Sequence, residues 1–236
     1  MNSIFVSGDI VGNTAKAPKV DGYSKISFWR EGPVGIVTIL SPGTIDKSLV
    51  HELISVLSIA AVDYSVKSLV LTGSNFIFSK GLSLPQSRTY ADLRDYYESL
   101  KNLILFFISL EKPIFAAING TAINNGLFLA LLCDEVFHSE NSKIVIDDKE
   151  PHLLLSSITL PLKISSNGEG IALKGIKVDA DDMMKLVLAN AKELTVVPYH
   201  RKRRFDLTGF ENMILQEEID FLDFYLWCQG CGQENK

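Results

Sequence analysis

Two stretches of this 236-residue chain place an apolar strand pattern directly before a backbone-permissive turn and a helix start. The first runs from Leu69-Val70-Leu71-Thr72-Gly73 through Phe78-Ser79-Lys80-Gly81-Leu82-Ser83-Leu84. The second runs from Lys112-Pro113 through Asn119-Gly120-Thr121-Ala122 and Asn124-Asn125-Gly126. Turns of this kind present main-chain N–H groups, and amides at a helix start favour a developing negative charge. Two such amides converging on one point would make an oxyanion hole.

Other chemistry-bearing residues are sparse. Asp147, Asp148 and Glu150 stand together before Pro151. They read either as a solvated acidic turn or as acid/base groups. His51, His138, His152 and His200 have no His, Cys or Glu partners at metal-ligand spacing, so no metal site is predicted. Ser79 and Ser83 lack the Gly-x-Ser-x-Gly elbow of a hydrolase nucleophile. Cys228 and Cys231 form a lone CxxC, which cannot by itself supply four thiolates to zinc and reads as tail. The run His200-Arg201-Lys202-Arg203-Arg204 is the one concentrated positive stretch. It is either a solvated helix start or a clamp for phosphates.

The elements that must position these residues alternate in type. Ile26 to Leu40, broken at Gly32-Pro33, reads as a β-hairpin. Leu49, Leu53, Val56, Leu57 and Ala60 recur at helical spacing, and Ser68 to Gly73 is a short apolar run of the kind found in strands covered on both faces. A second helical stripe runs from Leu93 to Phe107, a buried strand spans Ile114 to Ile118, and a helix candidate spans Gly126 to Cys133. Short strands are expected at Glu135 to His138 and Lys143 to Ile146. Strands interleaved with helices predict an α/β fold. Towards the end, Ala180 to Lys192 and Phe210 to Trp227 carry helical patterns, and such a layer covers a sheet or docks on a neighbouring subunit.

Composition narrows the function classes. With 47% hydrophobic and 22% charged residues the chain can bury a large core, and its length suits one domain with an appendage. The expected division is an extension over 1–24, a core over 25–195 and a helical region over 196–236. A net charge of −5 opposes non-specific nucleic-acid binding, so no nucleic-acid partner is expected. Ile114 to Cys133 has the length of a membrane span but contains three asparagines, and it reads as core, with no membrane partner. Met1 to Gly12 lacks the basic start and apolar run of a signal peptide, and three cysteines fit a reducing interior, so a cytoplasmic location is expected.

The two strand–turn–helix segments, together with Leu129-Ala130-Leu131-Leu132-Cys133-Asp134, resemble the enoyl-CoA hydratase/isomerase, or crotonase, family. That family shows Phe-Ser-x-Gly-x-Asp-Leu, then Lys-Pro-x-x-Ala-x-x-Asn-Gly-x-Ala-x-Gly-Gly-Gly, then Leu-Ala-x-x-Cys-Asp. The resemblance implies a crotonase-like spiral of ββα units with a C-terminal helical layer that trimerises, giving a homotrimer or hexamer. It implies an acyl-CoA substrate, with coenzyme A as part of that substrate and no tightly bound cofactor. Carried over, the oxyanion amides belong to Leu82 and Asn125, and the backbone contacts to the adenine fall near Lys80 and Leu84. If the basic run is a clamp and not a solvated helix start, Arg201 and Arg204 would hold the phosphates of coenzyme A. Of the two glutamates that hydratases of the family use, one position is Phe128 here and the other is Asp148, with Glu150 as its substitute. The family's paired glycines at the second amide have become Asn124-Asn125, and its Asp after Gly-x is Ser83. A single acid/base suits isomerisation, decarboxylation or thioester cleavage better than addition of water. A protein on this fold that binds acyl-CoA without turning it over, or serves assembly, is the alternative.

Overall fold

The structure, a computed structural model, describes residues 22–87, 89–146, 164–167, 170–173, 175–193, 216 and 218–225. Strands β1 (Ile26–Glu31) and β2 (Val34–Ile39) pair antiparallel with Ile26 opposite Ile39. The loop between them has Gly32 at φ +58°, the left-handed conformation that a two-residue hairpin loop requires. Helix α1 (Lys47–Val62) follows, capped by the Asp46 carboxylate, which accepts the Leu49 N–H at 2.8 Å. Its buried face is Leu49, Val50, Leu53, Val56, Leu57 and Ala60. Three further turns of chain then repeat a pattern. β3 (Ser68–Gly73) and β4 (Ile77–Ser79) lead into α2 (Tyr90–Ser109). β5 (Ile114–Ile118) and β6 (Thr121–Ile123) lead into α3 (Asn125–Leu131). β7 (Glu135–Ser139) and β8 (Ile144–Val145) follow.

The first strand of each pair joins one sheet and the second joins another. The large sheet has the order β1-β2-β3-β5-β7-β11, with β11 at Ile176–Val178, and is parallel from β2 onward, whereas β4-β6-β8 form a separate parallel sheet. This is the expected spiral of ββα units. Side-chain alternation divides the large sheet between two cores. Val37, Ile39, Leu69, Leu71, Ile114, Ala116, Ile118 and Val136 face α1, α2 and α3. Val34, Ile36, Val70, Phe115, Ala117 and Phe137 face α4 (Met183–Glu193) through Met183, Val187, Leu188 and Ala191. Burial on both faces is why these strands read as unbroken apolar runs.

Several elements differ from the sequence expectation. The segments read as turns after β3 and β5 contain β4 and β6, three residues each and too short to show a period. The α3 helix starts at Asn125, one residue before the expected Gly126, because Asn124 supplies the turn. Between Ile146 and Ala180 no period is legible, and the structure adds β9 (Ile164–Asn167), β10 (Gly170–Leu173) and β11 (Ile176–Val178), the last of them closing the large sheet beside β7. Near the N-terminus, the Glu52 carboxylate of α1 accepts the backbone N–H groups of Ser24, Lys25 and Ile26. Residues 216 and 218–225 are helical, and Phe221, Leu222 and Tyr225 are buried in the main core. No helix among the described residues is long and apolar enough to cross a membrane.

Two motif residues prove to have structural work. Lys112 donates from Nζ to the carbonyls of Ala60 (2.6 Å) and Asp63 (2.7 Å), closing the end of α1, whose own last turn has no basic residue. Burial pulls the Lys112 pKa below the ordinary lysine value, while Asp63 opposes that and Lys67 adds to it. Asp134 accepts the Ile114 N–H at 2.8 Å and returns its own N–H to the Ile114 carbonyl at 2.7 Å, fixing the start of β5. Replacing Lys112 with Ala leaves two carbonyls without their cationic donor and should lower unfolding free energy by about 1.5–3 kcal/mol in urea titrations. His138 on β7 is half-buried, and burial first, then Lys177, lowers its pKa against the raising effect of a hydrogen bond at Ser139. The unfolded chain then takes up this proton before the folded one does. Its contribution is therefore intact above the ordinary histidine value near 6.5 and declines as pH falls below it. The denaturation midpoint of His138→Gln should fall less than that of wild type between about pH 7 and pH 5.5.

Candidate active site

Register brings the two predicted turns side by side. Ser79 at the end of β4 lies opposite Ala122 in the parallel strand β6. Leu82 and Asn125 each lie three residues beyond this pair, on the turns by which the chain leaves the two strands. The close approach is enforced by glycine. A β-carbon on Gly126 would sit 2.6 Å from both Cβ and Oγ of Ser79, so only glycine lets the start of α3 lie against β4. One corner earlier, a β-carbon on Gly120 would meet the Phe76 carbonyl oxygen at 1.9 Å, while the Thr121 N–H bonds to that same oxygen. Asn119 completes this corner by donating from Nδ2 to the Gly73 carbonyl at 2.8 Å.

The first turn is held on its far side by the segment that precedes α1. The Lys80 N–H bonds to the Gly43 carbonyl (2.9 Å), the Ile45 N–H to the Gly81 carbonyl (2.8 Å) and the Ser83 N–H to the Ile45 carbonyl (2.9 Å). Ile45 and Leu82 thereby form a parallel bridge. In such a bridge one residue takes both flanking groups of its partner, and the partner's own N–H and C=O face the opposite edge. The Leu82 amide is consequently turned away from Ile45. Gly81, at φ +85°, permits the reversal that precedes it. The buried Ser79 hydroxyl donates to the Gly43 carbonyl at 2.8 Å and ties the same segments together.

The second turn is built on a strained residue. Asn124, the N-cap of α3, has φ +43° and ψ −118°, close to the first central position of a type II′ turn, where glycine is usual. Asn is among the few side chains that accept positive φ, and both Asn124 and Asn125 are buried. The Asn124 N–H reaches the Val145 carbonyl of β8 at 2.9 Å, which ties the turn to the small sheet.

The other predicted residues fall as follows. Lys80 is exposed and Leu84 is half-buried against the main core, both on the first turn's exit. Phe128, the position that the resemblance sets against one of the two hydratase glutamates, is fully buried within the main core. Asp148, Glu150, Arg201 and Arg204 lie outside the described residues, as do the CxxC cysteines. No group of three or more His, Cys, Asp or Glu side chains able to hold a metal occurs among the described residues. The Gly43–Ile45 brace has no counterpart among the sequence expectations; it lies just beyond the hairpin read over Ile26 to Leu40. A lone bridge between residues 37 positions apart leaves no periodic trace.

Comparison with known proteins agrees with this architecture. The enoyl-CoA hydratase from Mycobacterium avium subsp. paratuberculosis K-10 superposes with a TM-score of 0.69 at 18% identity, over 86% of this chain and 91% of that one. Pseudomonas aeruginosa DspI superposes at 0.67 and 20% identity, over 77% and 84%. In sequence, the chain is 27% identical to the 2,3-dehydroadipyl-CoA hydratase of Escherichia coli (strain K12) over 154 residues, 64% of this chain and 60% of that protein. It is 28% identical to a probable mitochondrial enoyl-CoA hydratase of Dictyostelium discoideum over 116 residues, 48% of this chain and 42% of that protein. The chain thus spans about half the length of these curated relatives. A model of the enoyl-CoA hydratase/isomerase family matches residues 30–152, just over half of the 236. With that match covering both turns and the strands that align them, the chain belongs to the enoyl-CoA hydratase/isomerase family.

Proposed function

We propose that this protein processes an acyl-CoA, binding the thioester carbonyl between the main-chain amides of Leu82 and Asn125 and stabilising the enolate that forms when a proton leaves the neighbouring carbon. The observation that carries the reading is the Ser79–Ala122 register, with Ile45 turning the Leu82 amide outward on one side and Gly126 admitting the start of α3 on the other. As the carbonyl oxygen gains charge, two preorganised N–H donors stabilise it more than they stabilise the ground state, and each such donor is worth about 10²–10³ in rate. Asp148, or Glu150 in its place, moves the proton. Coenzyme A enters as part of the substrate, its nucleotide end against the backbone of Lys80 and Leu84 and its phosphates against Arg201 and Arg204.

Phe128 decides which reaction of the family suits the chain. Addition of water asks for a second carboxylate to hold and activate it, and a fully buried phenyl ring can neither accept nor donate a proton. Double-bond isomerisation, decarboxylation and thioester cleavage each proceed with one acid/base. The same ring, with Asn124 and Asn125 in place of glycines, favours the second reading, an acyl-CoA-binding or assembly protein with little or no turnover.

Crotonyl-CoA hydration, enoyl-CoA isomerisation and thioester hydrolysis, measured beside calorimetric binding of acetyl-CoA, separate the two. Turnover in the isomerisation or hydrolysis assay that disappears in Asp148→Ala is the expected result. Binding without turnover on any substrate would install the second reading, and no binding of coenzyme A or its esters would remove both. Gly126→Ala adds a methyl 2.6 Å from Ser79 Oγ and must force α3 away from β4. It should reduce turnover by about 10²-fold or more, the effect of a donor displaced by an ångström.

A further inference from the structure

The brace that orients the first amide is itself short. Ile45 meets Leu82 through an isolated bridge rather than a strand ladder, so little of its own backbone pairing resists displacement. What anchors it is α2. Tyr96, fully buried, donates its hydroxyl to the Ile45 carbonyl, the same oxygen that accepts the Ser83 N–H. A carbonyl has two lone pairs, and here one faces the turn and the other faces a side chain mounted on a twenty-residue helix. The ring of Tyr96 is held in turn. Phe221 of the terminal helical segment lies 6.3 Å from it, centroid to centroid, and 5.3 Å from the ring of Tyr97, and Tyr225 packs edge-on against Phe221 at 4.9 Å.

We propose that Tyr96 is a positioning residue for the Leu82 amide, acting through the Ile45 carbonyl. The inference rests on the reading of Leu82 as an oxyanion donor and adds to it the side chain that sets its direction. Tyr96 reaches no substrate in this role. Its hydroxyl fixes the Ile45 carbonyl, that carbonyl fixes the Ser83 N–H, and with residues 81 and 83 both bonded to Ile45 the intervening amide has one orientation. A buried tyrosine hydroxyl that merely satisfied its hydrogen bond would contribute to stability and to nothing else.

Tyr96→Phe keeps the ring and its contact with Phe221 and deletes only the hydroxyl. Three measurements on wild type and variant decide the matter: kcat and KM on the acyl-CoA that wild type turns over, calorimetric binding of free coenzyme A, and amide hydrogen exchange. The expected result is a loss of roughly 10- to 100-fold in kcat, as for a donor moved by a fraction of an ångström to an ångström, with KM and coenzyme A binding within about twofold. Exchange at Ser83 should quicken by about tenfold or more while Leu71 in β3 and Ala116 in β5 are unchanged, showing a folded core with a loosened turn. An active wild type whose Tyr96→Phe variant keeps kcat within about twofold overturns this inference, whether or not Ser83 exchange changes, and leaves the role of Leu82 standing. A wild type inert toward every acyl-CoA overturns that role, and this inference with it.

Discussion

The structure turns on main-chain hydrogen bonds that hold residues 79–83 between two other segments of the chain. On one side Gly43 and Ile45 take the N–H of Lys80, the carbonyl of Gly81 and the N–H of Ser83. On the other, β6 pairs with β4 and Gly126 lies against Ser79. Backbone groups are fixed donors with no rotamer freedom, so a turn clamped on both edges holds its amides in set directions. A site made of such groups needs its scaffold to be rigid, because no side-chain torsion can correct a misplaced amide.

The rest of the fold supplies that rigidity. The large sheet is covered on one face by α1, α2 and α3 and on the other by α4, which leaves its central strands no solvent edge along which to shift. Alternating strands pass to the small sheet, so every turn of the spiral delivers one corner to the same side of the molecule. The polar residues that mark those corners serve the backbone: Lys112 closes α1, Asn119 ties the end of β5 to the end of β3, and Asp134 starts β5. Each of these motif residues spends its polar atoms on main-chain groups of a neighbouring segment.

Two positions on this scaffold depart from the family pattern. Phe128 belongs to the core, and the turn that glycines form in the family pattern is made by Asn124 in a left-handed conformation. The cost of holding a residue with a side chain at positive φ, on the order of 1–3 kcal/mol, is met by the bond to Val145 and the packing of α3.

Local sequence determined the helices and the long strands, because α1 and α2 bury one face at a helical period repeated over many residues, while β2, β3 and β5, buried on both faces, stand out as unbroken apolar runs. It also carried the two glycine-bearing turns and, through them, the family. Only the tertiary structure decided that β4 and β6 exist, that their register sets Ser79 opposite Ala122, and that Ile45 and Tyr96 stand behind the turn at Leu82. Three-residue strands have no period, and a hydrogen bond between residues 37 or 51 positions apart is dictated by how the elements pack, which no local pattern encodes.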